Sequence, residues 1–369
     1  MADLIQKGLA WLNDHRRRVV WEAEGVESSV AIANDSGLSF WINGKCDGNA
    51  TGDAGTQIML GLLPAALHDQ PKTAFVVGLG TGETAGWLAS VPGMERVDCA
   101  ELEPAVREMA RRCAPVNRNV LNQPRVRLII NDAREVLLTS SERYDLICSE
   151  PSNPYRAGIA DLFTRDFYQI VRDRLAEGGL FAQWLQGYEV DRRTVGSVFR
   201  TLCSVFPHVE AWQSKHDDLL LVCSRSRRGV DAEALRRRLA GEPFRDALAV
   251  GWRATDLEGF LSRFVAAHEA VAAWADHAGG EVNTDDLNHI EYGFARTLGR
   301  STDFSVPALR QWAAAQGGGR PGVSGSVDWP RVEDHRQLLY VVSEGVLLVP
   351  PHPTDELNAR SRVLEHYLQ

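Results

Sequence analysis

A run of alternating glycines and three acidic residues could together form a binding site. The glycines are Gly78, Gly80 and Gly82, and they directly follow the apolar residues 74–77. This pattern predicts a buried parallel strand, a tight turn and a helix N-terminus, where backbone N–H groups approach a nucleotide-like ligand closely. By itself the signal is weak, because Gly-x-Gly-x-Gly also occurs as an ordinary strand-to-helix turn. The acidic residues therefore decide which interpretation holds.

Two of these acidic residues end the next two predicted strands. Glu101 stands about 20 residues beyond the glycines, where a carboxylate is placed to accept hydrogen bonds from ribose hydroxyls. Glu103, two residues further on, is the second candidate for the ribose contact after Glu101. Its place before Pro104 also suits a helix N-terminus, where a negative charge is favourable. Asp132 could accept from an exocyclic amino group such as adenine N6, or it could cap the following helix. Because neighbouring strand ends face one crevice, the combination favours a nucleoside.

The third acidic residue, Glu150, ends the fourth strand of this series. It leads directly into a proline-containing loop, Pro151-Ser152-Asn153-Pro154. Carboxylates are seldom placed there without a partner. A carboxylate at the edge of the crevice could hold a cationic amine and accept its proton as the amine attacks. We therefore predict Glu150 as the reacting group.

The elements that must position these residues alternate between strand and helix from residue 72. Strands are predicted at 74–79, 96–101, 125–130, 144–149, 178–184, 207–213 and 218–224. Helices are predicted at about 83–90, 104–113, 134–138, 162–175 and 191–206. This rhythm predicts a mostly parallel sheet covered on both faces. The last two strands lack an intervening helix and are predicted to form an antiparallel hairpin that closes the edge. We therefore predict an α/β fold with a Rossmann-like, methyltransferase-type sheet.

Two further regions flank the predicted sheet. Residues 1–70 are predicted to form a β-rich domain, 71–228 the Rossmann-like domain and 229–369 a mainly helical region. The N-terminal elements are a helix over 4–18, strands at 19–23, 29–33 and 38–42, and a helix from 53 to 68. The C-terminal helices are predicted near 231–240, 255–277, 284–298, 305–316, 330–344 and 354–368.

Composition limits the function classes. The formal net charge of −9 argues against a general nucleic-acid binder, which would show a basic patch. No signal-peptide core and no apolar run long enough to span a membrane are found. The six cysteines form no Cys-x-x-Cys pair and the ten histidines no metal-ligand spacing. We therefore expect a cytoplasmic protein with buried free thiols and no metal.

The glycine turn and the acidic strand ends, in this order and spacing, resemble the spermidine synthase (polyamine aminopropyltransferase) family. The resemblance is strongest to its bacterial branch, whose members are often fused to membrane domains. The resemblance runs from about residue 20 to 224. It rests on residues 42–44, 57–64, 78–82, 101–103, 131–133, 144–147, 150–154 and 162–168. Residues 283–286 and 290–292 also resemble a segment of the fused branch, or they form a helix cap.

The resemblance implies that residues 71–228 bind decarboxylated S-adenosylmethionine or its product methylthioadenosine. The departures from the family described below leave S-adenosylmethionine itself as an alternative donor. The resemblance also implies a homodimer. By position, Gln57 would contact the sulfonium cofactor, Glu101 the ribose and Asp132 the adenine. The other predicted cofactor-binding residues are Gly78, Gly80, Thr81, Gly82, Glu103 and Ala133. In the family's reaction an amine attacks the carbon next to a sulfonium, so the enzyme must deprotonate the amine and align it.

The sequence departs from the family in the amine half of the site. The family usually has aspartates at the positions of Thr81, Glu150 and Asn153, and a tyrosine at Thr56. We predict Glu150 and Asn153 as catalytic residues, although the amide of Asn153 can hydrogen-bond an amine without balancing its charge. Alternatively, the amine is bound by other residues, such as Asp53, Gln183 or Tyr188.

The predicted function is aminopropyl transfer from decarboxylated S-adenosylmethionine to a small amine. One alternative is an S-adenosylmethionine-dependent methyltransferase or another alkyl-transferring or cyclising enzyme. Without the loop carboxylate, the residue at 81 would no longer repel the carboxylate of intact S-adenosylmethionine. Another alternative is a nucleoside- or polyamine-binding module without catalysis. A nicotinamide-dependent dehydrogenase is disfavoured by the closing hairpin and by Asp132.

Overall fold

The computed structural model describes residues 6–7, 16–34, 37–156, 158–215, 217–227, 229–300 and 303–344. The strands, numbered β1 to β14 in chain order, are Val19–Glu24, Ser29–Asn34, Leu38–Ile42, Lys45–Asn49, Thr73–Val77, Arg96–Glu101, Val126–Ile130, Tyr144–Ser149, Leu175–Leu185, His208–Gln213, Leu219–Ser224, Val230–Asp231, Phe264–Ala266 and Val323–Ser324. The α-helices, numbered α1 to α13, are Ala54–Leu67, Glu83–Ala89, Val106–Arg112, Ala133–Thr139, Arg165–Arg174, Arg192–Cys203, Ala232–Leu239, Phe244–Ala247, Leu257–Leu261, His268–Ala278, Ile290–Ala295, Val306–Ala315 and Trp329–Glu344.

An eight-stranded sheet forms the centre of the fold, with the strand order β13-β10-β11-β9-β8-β5-β6-β7. Strands β7, β6, β5, β8 and β9 are parallel, and β11 is inserted antiparallel between β9 and β10. The strands are apolar because helices cover both faces, as expected for a parallel sheet. The predicted α/β, methyltransferase-type sheet is confirmed.

The edge of this sheet differs from the prediction. The hairpin β10–β11 forms, but it does not close the sheet, because β13 pairs antiparallel with β10 outside it. The predicted helix over 255–277 is therefore wrong. It consists of α9, the strand β13 and α10. Phe264, Val265 and Ala266 are fully buried, and an aromatic and a β-branched residue suit a strand that completes the sheet.

The N-terminal residues form a separate antiparallel sheet of order β1-β2-β3-β4. The predicted hairpin β2–β3 is confirmed, whereas β4 was not predicted, because its sequence, Lys-Cys-Asp-Gly-Asn, lacks strand-forming residues. Helix α1 follows, and all of its residues are buried between the two sheets and the C-terminal region. Most of the predicted helix 4–18 and all of the predicted helix 354–368 lie outside the described residues.

The C-terminal region packs onto both faces of the central sheet. On one face, α7, α8 and α9 share a core with α1, and on the other, α10 and α12 share a core with α5 and α6. Helix α11 is shorter than the predicted 284–298, and residues 244–247 form an unpredicted short helix, α8. The division into three domains stays a prediction. In the described residues, no helix is long and apolar enough to cross a membrane.

Residues 283–286 begin the connection to α11. The side-chain oxygen of the buried Asn283 accepts hydrogen bonds from the N–H groups of His289 and Ile290, at 2.9 and 3.4 Å. Its amide nitrogen donates to the Phe163 carbonyl at 3.3 Å. The Asn283 side chain therefore caps the helix. Of the two interpretations of this segment, a family resemblance or a helix cap, the structure shows the cap.

Candidate active site

The glycine turn between β5 and α2 has the conformation that its sequence predicts. Gly78, Gly80 and Gly82 have φ angles of +87°, +50° and +82°, in the left-handed region that side chains disfavour. At Gly82 space is also limited, because an added Cβ would lie 2.5 Å from Val120 Cγ1. Glycine is therefore required there on two grounds, and the turn leads directly into the N-terminus of α2.

The carboxylate of Glu101 supports this turn from β6. One of its oxygens accepts a hydrogen bond from the Leu79 N–H at 2.8 Å, and the other from the Glu103 N–H at 2.9 Å. Burial raises the pKa of Glu101, and these N–H groups act against that rise. Glu101 thus has structural partners, and the predicted ribose contact would use its remaining lone pairs.

Glu103 joins the central sheet to the N-terminal sheet. Its carboxylate accepts hydrogen bonds from the N–H groups of Ala105, Glu27 and Ser28, at 2.9, 2.9 and 3.2 Å. Burial favours the neutral acid, but the N–H groups outweigh it and hold the pKa of Glu103 below its usual value. This is the structural role that the sequence analysis considered beside the functional one.

Asp132 is the N-cap of α4, whose first residue is Ala133. One carboxylate oxygen accepts from the N–H groups of Arg134 and Glu135, at 2.7 and 3.2 Å. The residue is only partly buried, and it follows β7 at the same sheet edge as the glycine turn. Asp132 therefore caps α4 with one carboxylate oxygen. The second oxygen makes neither of these hydrogen bonds and could accept one from a ligand.

A pocket of about 250 Å3 lies between the glycine turn, α1 and the N-terminal sheet. Five acidic side chains line it, and we call it the acidic pocket after them: Asp47, Asp53, Glu83, Glu150 and Asp218. Two of them, Glu150 and the alternative amine ligand Asp53, are named from the sequence. The other three join them because residues distant in the sequence meet here.

Two of the five carboxylates have cationic partners. Asp53 lies 3.2 Å from the Lys215 ammonium, and Asp47 lies 3.0 Å from the Arg156 guanidinium. Asp47 also accepts a hydrogen bond from the Ser152 hydroxyl. These two acidic groups are therefore largely neutralised within the protein.

The other three carboxyls have no such ion pair among the described residues, and their pKa values are high. Burial raises the pKa of Glu83 to about 9, that of Glu150 to about 8 and that of Asp218 to about 7. These values include the smaller effect of neighbouring carboxylates, among them Glu150 beside Glu83 and Asp53 beside all three. Near neutral pH these carboxyls therefore hold protons that a bound cation would displace.

The hydrogen bonds of Glu150 agree with a neutral carboxyl. The Thr84 hydroxyl lies 2.7 Å from the Gln57 carbonyl oxygen and 3.1 Å from Glu150 Oε2. One hydroxyl proton cannot serve both acceptors. When it is donated to the closer carbonyl, the Thr84 oxygen can accept a hydrogen bond from the protonated Glu150 carboxyl. Glu83 lacks even this contact, because its buried Oε2 has no hydrogen-bond partner and its side chain is 1% exposed.

Polar but uncharged groups complete the lining. Thr81 donates to the Gln57 side-chain oxygen, so the residue between the glycines ties the turn to α1. The Asn153 amide donates to Gln186 Oε1 at 2.6 Å, and its oxygen accepts from the Tyr155 hydroxyl at 3.1 Å. Asn153 is thus fixed by neighbours and faces the pocket at its rim.

The structure brings together part of the predicted set. Gln57, Gly78, Gly80, Thr81, Glu150 and Asn153 line the acidic pocket, whereas Gly82, Glu101, Glu103, Asp132 and Ala133 do not. Of the alternative amine ligands, Asp53 and Tyr188 line it. Gln183 does not, since it bonds the Tyr168 hydroxyl and the Leu162 carbonyl, at 2.6 and 2.9 Å.

Sequence reasoning missed three acidic residues of the pocket: Asp47, Glu83 and Asp218. Glu83 carried a signal, because an acidic residue at the first helical position after the third glycine stands at the binding turn. Asp47 lies in the unpredicted strand β4, and Asp218 immediately precedes β11. Across the described ranges, no group of three or more His, Cys, Asp or Glu is arranged to hold a metal ion.

The sheet order, the glycine turn and the pocket at the carboxyl ends of the strands define a Rossmann-like domain of the methyltransferase type. Residues 54–214 match the family model described as spermine/spermidine synthase domain. This match covers less than half of the chain, and over these residues the chain is similar to that family. The relation to the membrane-fused branch stays a prediction.

Curated relatives share this domain. Over 125 residues the chain is 39% identical to a polyamine aminopropyltransferase of Nitrosomonas europaea, covering 34% of this chain and 38% of the relative. Over 154 residues it is 29% identical to thermospermine synthase ACAULIS5 of Arabidopsis thaliana, covering 40% and 45%. The chain spans about half the length of the curated relatives it matches.

Solved structures share the fold. A spermidine synthase in complex with the transition-state analogue AdoDATO has a TM-score of 0.51 at 23% identity, over 57% of this chain and 74% of that one. The spermidine synthase of Thermotoga maritima has a TM-score of 0.50 at 22% identity, over 57% and 73%.

Proposed function

We propose that the protein transfers an aminopropyl group from decarboxylated S-adenosylmethionine to a small amine. The observation that carries this proposal is the acidic pocket, which lies beside the glycine turn of the region that is similar to the spermine/spermidine synthase family. Cationic substrates compensate buried carboxylates, so the excess of acidic groups selects ligands that carry ammonium or sulfonium charge.

In the proposed reaction, the amine nitrogen attacks the carbon next to the sulfonium, and the bond from that carbon to sulfur breaks. The electron pair of this bond stays on sulfur, which leaves as the neutral thioether of methylthioadenosine. The attacking nitrogen must lose one proton, and Glu150 accepts it. A bound cation lowers the pKa of Glu150 from about 8, so the base is ionised when the substrate is present.

We assign the two other unpaired carboxyls to cation binding. Glu83 follows the glycine turn and would face an ammonium group on the donor. Asp218 accepts from the Thr56 hydroxyl at 3.3 Å, on the side of the pocket formed by β11, and would face the acceptor. Asn153 would orient the amine, and Glu101 and Asp132 would contact the ribose and the adenine as the resemblance implies.

The same carboxyls argue against the main alternative. Intact S-adenosylmethionine carries a carboxylate beside its amine, and Glu83 and Glu150 would repel this carboxylate once the cationic groups of the donor have ionised them. A homodimer and a cytoplasmic location accompany the proposal as predictions.

The test is to incubate the purified protein with either sulfonium donor and putrescine, and to identify the products by mass spectrometry. We expect methylthioadenosine and spermidine from the decarboxylated donor. Methylthioadenosine or S-adenosylhomocysteine formed from intact S-adenosylmethionine would instead support another alkyl transferase. Tight binding of both donors without turnover would contradict catalysis.

A further inference from the structure

A second cavity lies at the opposite end of the β10–β11 hairpin from the acidic pocket. It measures about 430 Å3, within the range of small-molecule sites in proteins. Ser214 and Asp218, at one end of the hairpin, adjoin the acidic pocket, whereas His208 and Ser224, at the other end, line this cavity. We call it the distal cavity.

The wall of the distal cavity is mainly apolar. It is formed by one face of the sheet, by the end of α1 and by the C-terminal region. Six large apolar side chains contribute, namely Leu67, Leu180, Trp212, Val222, Leu235 and Leu261. Transfer of an apolar ligand body from water to such a wall is favourable.

Two acidic side chains line the distal cavity, the exposed Glu269 and the less exposed Glu210. Alternation along β10 places Glu210 on the same face as His208 and Trp212, opposite Val222 of β11. Its Oε2 accepts a hydrogen bond from the Trp212 indole at 3.3 Å, and no described group donates to the other oxygen. Burial raises the pKa of Glu210 to about 6, so the group is ionised near neutral pH.

The described charged groups around Glu210 do not neutralise it directly. Arg227, in the linker after β11, lies 3.8 Å from Glu269 of α10. Arg320, in the loop before β14, lies over the Trp329 ring at 4.5 Å. Burial, then His268 and Arg227, lower the pKa of His208, so this neighbour is neutral near pH 7.

We propose that the distal cavity binds a small amphipathic amine, whose apolar body packs against the six apolar side chains and whose ammonium group donates to Glu210. The buried Nδ1 of His268 has no hydrogen-bond partner and offers a second polar contact. A carboxylate in apolar surroundings is unfavourable unless it is paired, and an ammonium group would supply the opposite charge. A neutral ligand would not.

The test is calorimetric titration of the full chain with naphthylmethylamine, compared with the neutral naphthylmethanol. At pH 7.5 we expect the amine to bind one site at least about tenfold more tightly than the alcohol. Glu210→Gln keeps an acceptor for the Trp212 indole, and it should remove that tenfold preference while the unfolding temperature stays unchanged. Binding of the amine should weaken as the pH falls below about 6, since protonation neutralises Glu210.

Two variants locate the site. Glu142→Gln is the matched control, because Glu142 is exposed, pairs with Arg96 and does not line the cavity, and this variant should bind the amine like the wild type. Glu150→Gln should do so too, because the acidic pocket is separate. Equal affinities for amine and alcohol, an unchanged preference in Glu210→Gln, or loss of binding in Glu150→Gln would each overturn the proposal.

Discussion

The two halves of the candidate active site use their carboxylates differently. In the nucleoside half, Glu101, Glu103 and Asp132 accept hydrogen bonds from backbone N–H groups. In the amine half, Glu83 and Glu150 have few partners or none, and their pKa values are high. The first set stabilises the fold whether or not ligand is bound, whereas the second is costly until a cation arrives. The same substitution, carboxyl to amide, should therefore have opposite consequences in the two halves.

The largest effect is expected for Glu150→Gln. The amide cannot accept a proton, so turnover should fall by about 10²–10⁴-fold. Methylthioadenosine should still bind, because the nucleoside half is intact. Product formation and calorimetric titration measure the two quantities. Near-normal turnover in this variant would remove Glu150 from the role of base.

Glu83→Gln should change the pH dependence of stability. The native pKa of Glu83 is about 9, above the value of about 4.5 expected when unfolded. Its contribution to stability is therefore complete below about pH 4.5 and is lost as the pH rises through 9. The variant lacks this loss, and at pH 9 its free energy of unfolding should be higher than that of the wild type by up to about 6 kcal/mol.

Denaturant unfolding of the ligand-free protein between about pH 4.5 and pH 9 measures the slope of the free energy of unfolding against pH. Glu142→Gln is the matched control, because Glu142 is exposed and pairs with Arg96. It should leave the slope above about pH 5 unchanged. A wild-type slope that Glu83→Gln does not reduce would show that the Glu83 carboxyl is not held neutral.

Glu101→Gln should destabilise the protein. Both carboxylate oxygens accept from N–H groups, of Leu79 and Glu103. An amide NH₂ would face one of these donors and leave it unsatisfied, at a cost of about 1–2 kcal/mol. The unfolding temperature in the absence of ligand measures this effect. If Glu101→Gln and Glu150→Gln shifted it equally, the distinction between the halves would fail.

The smallest effect is expected at Asp132. Asp132→Ala removes the N-cap of α4 and should cost about 1 kcal/mol. Asp132→Asn can keep the cap and should leave stability unchanged, but it should weaken binding of methylthioadenosine if the second oxygen contacts adenine. Equal affinity of this variant and the wild type would restrict Asp132 to capping.

The central sheet and the glycine turn could be predicted from the sequence, because apolar runs and glycines determine the backbone conformation of the segment in which they occur. Residues 74–82 carry the strand, the positive φ angles and the helix start within one short segment. The amine half was not predictable in this way. Asp47, Glu83 and Asp218 meet because β11 is inserted between β9 and β10 and because β4 packs across the crevice. Such long-range contacts leave no periodic pattern in the sequence.

For Glu101 the sequence predicted the position of the carboxylate but not its hydrogen-bond partners. Its position at a strand end suggested a ligand, yet its partners are the N–H groups of the turn that it adjoins. Residue type and spacing locate a carboxylate at the crevice, but the direction of nearby N–H groups depends on the folded turn.

The most direct test is the number of protons released when each half is filled. Calorimetric titration in buffers of different ionisation enthalpy at pH 7 measures this number for methylthioadenosine and for putrescine separately. A bound diamine should displace protons from Glu150 and Asp218, whose pKa values are about 8 and 7, so we predict release of about one proton per diamine. Methylthioadenosine carries no charge and should release almost none. Diamine binding without proton release would contradict the account.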